Sequence, residues 1–486
     1  MRLRAHIALL TLLLMVVEFG SARTINVSSA SAVNKTWGAG DTLVFSQGTF
    51  SNQSLVVQGT GTQSQPIVLQ AQIPGRTILT GSSTLTISGT YIEVSGLDFS
   101  GTYTGKNHVI QFASASSHCR LTECAIESYN TTNVNKDYKW VSLRGSDNRV
   151  DHCLFENKTN IGTLFVVWLE TGVIPNHRID HNRFLTRTPL LDDNGKEQNG
   201  QEIIRIGDSS TSMQTAGCVV EYNYFHECDG EIETISNKSC GNVYRYNTFN
   251  RCSGMLTLRH GNNCLVEENF FLGNGKSGSG GVRIIGEGHI VRNNYFCELT
   301  GNNYRAAICM VRGKENSALN EYFQVKNANV SGNVFANCKE AFCINYNSSS
   351  DCTLPPITSR VDSNIVFNFS GKNNYVLNIA SSGGSVVFAD NMYNTGKWKN
   401  YTASLPAWKQ QTGMAEPQPD TTRMPSELNT GPLWRGRTTD SATPLITTEG
   451  NLQSKGVKVR MDGKVYIRHD NVLYDVMGRM TYFIPF

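Results

Sequence analysis

Six segments of this chain share one pattern: an apolar residue, two further residues, asparagine, one residue, then an aromatic. They are RIDHNRF (178–184), VVEYNYF (219–225), VYRYNTF (243–249), LVEENFF (265–271), HIVRNNYF (289–296) and NVSGNVF (329–335). Looser copies are LTECAI (121–126), RVDHCLF (149–155), RVDSNIV (360–366) and VFADNMY (387–393). The asparagine-equivalent positions are 124, 153, 182, 223, 247, 269, 294, 333, 364 and 391, and most spacings fall between 22 and 31 residues. A repeat of that length is one coil of a solenoid, a unit that buries its apolar face only against its neighbours. The runs between the asparagines are short and β-rich, are broken by Asn and Gly, and lack helical periodicity. The expected fold is all-β, a parallel β-helix, with asparagines at one bend bonding amide to amide along the stack.

The coil pattern extends back through GTGTQSQPIVLQAQIPGRTILTGSSTLTISGTYIEVSGLDF (59–99) and fades after about residue 395 into a Pro/Thr-rich stretch. Alternation returns in GVKVRMDGKVYIRHDNVLYDVMGRMTYFIPF around Asp-Gly and Asp-Asn turn signals, which predicts a small C-terminal β tail. That tail either packs on the helix or serves as an export signal. The first residues, MRLRAHIALLTLLLMVVEFGSA, combine two arginines, a short apolar run and small residues, the pattern of a secretory signal peptide. The expected organisation is therefore a signal peptide over 1–22, a β-helix over 23–395 and the stretch plus tail over 396–486. A secreted or periplasmic protein with no membrane span follows.

Net charge is only +3, so nothing favours nucleic acid, and attraction for a polyanion must be built locally. Thirteen cysteines in an exported chain suggest disulfides, but the number is odd. Cys124 and Cys153 occupy the asparagine position, while Cys228, Cys252 and Cys338 each lie five residues after it. Small side chains stacked in a core are the reading this spacing favours.

Two intervals are long, 182 to 223 and 294 to 333, and extra residues in a solenoid become loops on one face. The first contains LLDDNGKEQNGQEIIRIGD (190–208) and directly precedes DGEIETISNKS (229–239). In a strand, Glu231 and Glu233 would share a face as repelling like charges unless a cation lay between them. Counting from Asn223 and Asn247 sets Glu231 and Glu233 level with Met255 and Thr257, puts Arg259 on the same face, and leaves Lys238 at the strand's end. Asn199, Glu202 and Arg205 reach the same patch from the preceding coil. Such a patch reads as an exposed ion-pair network, a glycosidase site or a calcium site. Carboxylates this close do not fit an inverting glycosidase, and that chemistry leaves the basic residues unexplained. Two carboxylates with an amide oxygen, open on one side, supply the hard oxygen ligands that Ca²⁺ takes. The fragment LDDNG (191–195) lacks the later ligands of an EF-hand and is expected to shape the inserted loop.

In order and spacing, NGQEIIRIG (199–207), GEIETISNKS (230–239) and TLRHGNN (257–263) resemble polysaccharide lyase family 6, as does GTQSQPIVLQAQIPGRTILTGSS near the N-terminus. That family contains alginate lyases and the dermatan-cleaving chondroitinase B, and the resemblance covers roughly residues 25–395. It implies a right-handed β-helix with calcium held by Asn199, Glu231 and Glu233. It implies Lys238 as general base and Arg259 as general acid, with Glu202, Arg205 and His260 lining the substrate site. Arg283, on the next coil, is a further candidate for a substrate contact. The implied reaction is β-elimination on a uronic acid polymer. Alginate is the favoured substrate, dermatan sulfate the second, and a non-catalytic polysaccharide-binding β-helix the alternative of a different class.

Overall fold

The structure is a computed structural model and describes residues 22–437 together with the backbone of four strands between 457 and 483. Each coil contributes one strand to each of three parallel sheets, and each sheet has fourteen strands. The sheets begin at Thr24–Val27, Thr36–Gly38 and Gly48–Ser51 and end at Val386–Ala389, Lys397–Lys399 and Trp408–Gln410. This is the parallel β-helix expected from the repeat, right-handed as the family resemblance implies. The tail forms a four-stranded antiparallel sheet over Val457–Met461, Lys464–His469, Val472–Asp475 and Met480–Phe483. The expected signal peptide lies outside the described residues up to residue 21. Among the described residues no helix is long and apolar enough to cross a membrane.

The asparagine repeat builds a buried ladder from Asn182 to Asn391. At each step the next coil's amide oxygen accepts both a backbone and a side-chain N–H, as Asn247 does from Asn223 at 3.1 and 3.0 Å. The same pair of bonds links 182 to 223 at one end and 364 to 391 at the other. A bend inside a protein leaves peptide groups without partners, and the ladder supplies them from the neighbouring coil. Cys153 continues the stack by donating its backbone N–H to Asn182 Oδ1 at 3.0 Å.

Two residues past the ladder, the aromatic of the repeat points into the core. Phe155, Phe184, Phe225, Phe249, Phe271, Phe296 and Phe335 form a continuous stack with centroids 4.7–5.1 Å apart. The residue before the ladder takes a left-handed φ of 51–55° at His152, His181, Tyr222 and Tyr246. Those four rings make a second stack on the outside of the bend. All thirteen cysteines are free, and all but Cys240 and Cys297 are buried, so the core-packing reading holds.

A second polar column, which the repeat does not reveal, lies at the bend that opens the first-sheet strands. There Asn148, His177, Asn242, His289 and Ser359 each accept a backbone N–H from the preceding coil. Burial holds His177 down to about 3 and His289 to about 4, so both rings are neutral acceptors.

After the last coil the chain turns back along the outside of the helix. Tyr295 donates to Pro417 O at 3.2 Å, and Arg423 stacks on Tyr246 at 5.6 Å. Buried Arg183 bonds Glu427 O and Thr430 O, and Gly431 N–H reaches His181 O at 2.8 Å. Trp434 Nε1 donates to Glu123 O at 2.8 Å and Arg437 pairs with the Glu123 carboxylate at 2.6 Å. This strap, residues 411–437, spans the described helix almost from its last coil to an early one. The indole of Trp434 occupies the space where a side chain on Gly75 would stand, which requires glycine there.

Candidate active site

The second sheet positions the site. Its strands Ile204–Gly207, Glu233–Lys238, Met255–His260, Val282–Ile284 and Ile308–Val311 pair in that order. Ile204, Ile206, Ile235, Leu256 and Leu258 belong to the core, so alternation turns Arg205, Ser236, Thr257 and Arg283 to the outer face.

The register differs from the counted one by two residues at Glu233, which lies level with Met255, not Thr257, and by three from Ile235 to Asn237. The turn at 229–232 carries the extra residues, and Glu231 lies in it, before the strand begins. Irregular pairing follows at Thr234 and again at Arg259, where Asn237 faces Leu258 but Lys238 faces His260. An extra residue in one strand re-aims the side chain it carries, here Arg259. The glutamates therefore meet by turn geometry rather than by sharing a strand face.

Glu202, Glu231 and Glu233 each offer a carboxylate oxygen, and these atoms lie within 4.8 Å of one another. All three residues are buried. Two have partners: Glu202 accepts from Thr163 Oγ1 at 2.7 Å, and Glu233 accepts from Ser236 Oγ and pairs with Arg283. Glu231 takes a backbone N–H from Gly200, but its Oε1 is buried without a partner. Burial, then the negative charge of Glu202 and Glu233, pushes the Glu231 carboxyl up to about 9. A buried oxygen without a donor, among three carboxylates, is a site that a hard cation fits. Glu202, expected to line the substrate site, thus stands in the acidic cluster.

Lys238 ends its strand with Nζ 3.8 Å from Glu202 Oε1, 18% exposed and facing the cluster. Arg259 lies over the Tyr322 ring at 4.3 Å, and its Nη1 donates to Glu321 O at 2.7 Å. His260 is buried, with Nδ1 3.4 Å from Arg259 Nη1 and Nε2 3.3 Å from Ser209 Oγ. Arginine only donates, so Nδ1 is the accepting nitrogen and Nε2–H points to Ser209. Burial, then Arg259 and Lys238, lowers His260 to about 3, which makes it a neutral support for Arg259. Arg205 stacks on Trp168 at 5.3 Å with its Nε buried and without a partner.

The structure brings Glu202, Arg205, Glu231, Glu233, Lys238, Arg259, His260 and Arg283 to one stretch of the second sheet. Asn199 is exposed at the end of the inserted arm, next to the Gly200 that touches Glu231. Arg283 is engaged by Glu233 and buried. Sequence reasoning missed three contributors. Arg187 is fully buried and sits near Glu202 and Glu231, whose charges oppose the lowering that burial imposes on it, to about 10. Tyr322 and Arg305 come from the second long interval, whose length was the signal that could have found them.

The chain matches the chondroitinase B family over residues 25–416. Among solved structures it is similar to the PL6 family alginate lyase AlyGC, with 31% identity, 89% of this chain covered and a TM-score of 0.77. It covers 60% of that chain, so it spans less than two thirds of that relative's length. It is also similar to a mannuronic acid specific family 6 lyase from human gut microbiota: 28% identity, TM-score 0.70, 85% of this chain and 96% of that one. No curated protein matches. A family match that runs through nearly every coil, and that includes the coils carrying the three glutamates, Lys238 and Arg259, places this chain in the chondroitinase B family, polysaccharide lyase family 6.

Proposed function

We propose that the chain is an exported, calcium-dependent lyase that cleaves a uronic acid polymer by β-elimination, with alginate as its substrate. The observation that carries this reading is the unpartnered Glu231 oxygen among three carboxylates, with Lys238 and Arg259 at its side. Ca²⁺ held by Asn199, Glu231 and Glu233, with Glu202 beside them, would neutralise the substrate carboxylate and so acidify the C5 proton.

Lys238, in its neutral form, takes the C5 proton, and the C4–O4 bond breaks as the C4–C5 double bond forms. Arg259 is held flat against Tyr322, with Nη1 on Glu321 O and Nη2 near Asn320 O, so its charge is fixed in advance to stabilise the departing O4 at no cost in reorganisation. A guanidinium is a weak acid, so Arg259 stabilises charge on the leaving oxygen and its protonation comes through water or a neighbour. His260, neutral and accepting, keeps Arg259 oriented. Arg205, with a buried Nε, and Trp168 beneath it present a fixed cation to an anionic polymer.

Alginate is supported by the two relatives, one an alginate lyase and one specific for mannuronic acid. Dermatan sulfate is the second candidate, implied by the resemblance to the chondroitinase B family. The test is the ultraviolet absorbance of the unsaturated uronate end, measured on poly-mannuronate, poly-guluronate, mixed alginate and dermatan sulfate, with and without chelator. Absorbance that grows on alginate and disappears with chelator is the expected result. Growth on dermatan sulfate alone would replace the substrate, and none on any of the four would leave a binding protein.

A further inference from the structure

The arm at 190–200 is a closed hairpin rather than a loose loop. Leu191 and Glu197 pair antiparallel, and Asp192 Oδ1 caps the tip by accepting from Asn194 and Lys196 N–H, both at 2.9 Å. Gln201, buried, staples the base: its Oε1 accepts from Leu190 N–H at 2.8 Å, and its Nε2 donates to Leu190 O at 3.0 Å and Gln198 O at 2.8 Å. Beyond the base, Gly200 N–H faces the Glu231 carboxylate, and Glu202 of the acidic cluster follows Gln201 directly.

The far side of the arm is fastened across several coils. Glu197 Oε2 pairs with Arg305 Nη2 at 3.3 Å, and Arg305 comes from the second long interval. Nη1 of the same guanidinium bonds Ser253 O, and Ser253 N–H in turn donates to Asp229 Oδ1 at 2.7 Å. Asp229 opens the turn that carries Glu231. Two routes therefore lead from Arg305 to Glu231, one through the arm to Gly200 and one through Ser253 to Asp229. Neither Arg305 nor Glu197 belongs to the acidic cluster itself.

We propose that Arg305 and Glu197 are positioning residues: their ion pair fastens the 190–200 arm across the coils of the site and fixes the Gly200–Glu231 contact, and with it the cation affinity of the cluster. The inference rests on the calcium-dependent lyase reading above. Glu197 lies at the surface end of the pair, so Glu197→Gln removes the charge without opening the core. Deuterium uptake of the arm, calcium titration by calorimetry, and KM and kcat on alginate would be compared among wild type, Glu197→Gln, Arg305→Gln and the double variant.

The expected result is faster exchange across the arm, calcium affinity weaker by about fivefold, and a raised KM with kcat little changed. The double variant should be no worse than Arg305→Gln alone, because one ion pair is lost once. Unchanged calcium affinity in Glu197→Gln, or effects that add in the double variant, would overturn the positioning role. Wild-type protein that binds no calcium and cleaves no uronate overturns the functional reading and the positioning role together. Wild-type binding beside an indifferent Glu197→Gln overturns the second alone.

Discussion

The asparagine bend and the outer face of the second sheet are built from the same coils and obey opposite rules. At the bend, each buried amide from Asn182 to Asn364 finds its partners one coil on, and every coil repeats the solution. On the outer face the coils stop repeating, like charges are brought within 4.8 Å, and buried polar atoms of Arg205, Glu231 and Arg283 lack partners. The first arrangement completes itself with the protein's own groups. The second is complete only with something from outside, and it can be maintained because the ladder and the phenylalanine stack hold the coils in place.

The contrast is broken most sharply at Lys238. Lys238→Ala should lower turnover by roughly a thousandfold, the scale of a lost general base, with an unchanged circular dichroism spectrum and melting temperature. Retained turnover in the absorbance assay would remove Lys238 from the chemistry. A change in the ladder should do the reverse. Asn247→Ala strips partners from Asn223 and from carbonyls at Val220 and Arg245, and should cost about 3 kcal/mol in urea denaturation with activity per folded molecule preserved. A loss below measurement error would mean that water can enter the bend.

The smallest effect sharpens the comparison through pH. Glu231 titrates near 9 in the folded chain against 4.5 for an ordinary glutamate, so between those values the folded state holds a proton that the unfolded state has released. Folded stability attributable to Glu231 is therefore fully present below pH 4.5 and is lost as pH rises toward 9. In chelator, the melting temperature should fall from pH 5.5 to pH 8, and Glu231→Gln or added calcium should flatten the slope. A slope that survives both would place its origin elsewhere.

The same division decides what the sequence made legible. The ladder could be read because one residue type recurs at one place in coil after coil from Asn182 to Asn391. The Asn/His/Ser column at the other bend solves the same problem with mixed acceptors, so no single letter marks it. Motifs located Glu231, Glu233, Lys238 and Arg259, yet counting from the ladder missed the register by two to three residues. The count assumes equal turns, and the turn at 229–232 is longer than its neighbour. Arg187 escaped notice because an arginine in a strand reads as exposed, whereas this one is fully buried against Asn160 and Gly162 carbonyls. Tyr322 and Arg305 arrive through the second long interval, from irregular chain and a single 3-10 turn, where neither period nor motif predicts which residue folds back.

Heat normally frays a linear stack from its ends, because an end coil has one neighbour where an inner coil has two. The strap changes that order of events. Residues 411–437 join a late coil to Glu123 and Gly75 near the beginning, so the ends no longer act as independent loose ends. An early coil that begins to open must also part Trp434 and Arg437 from their seats, and the stack gains the behaviour of a belt fastened at both ends. Melting that would have spread inward coil by coil is drawn toward a single event.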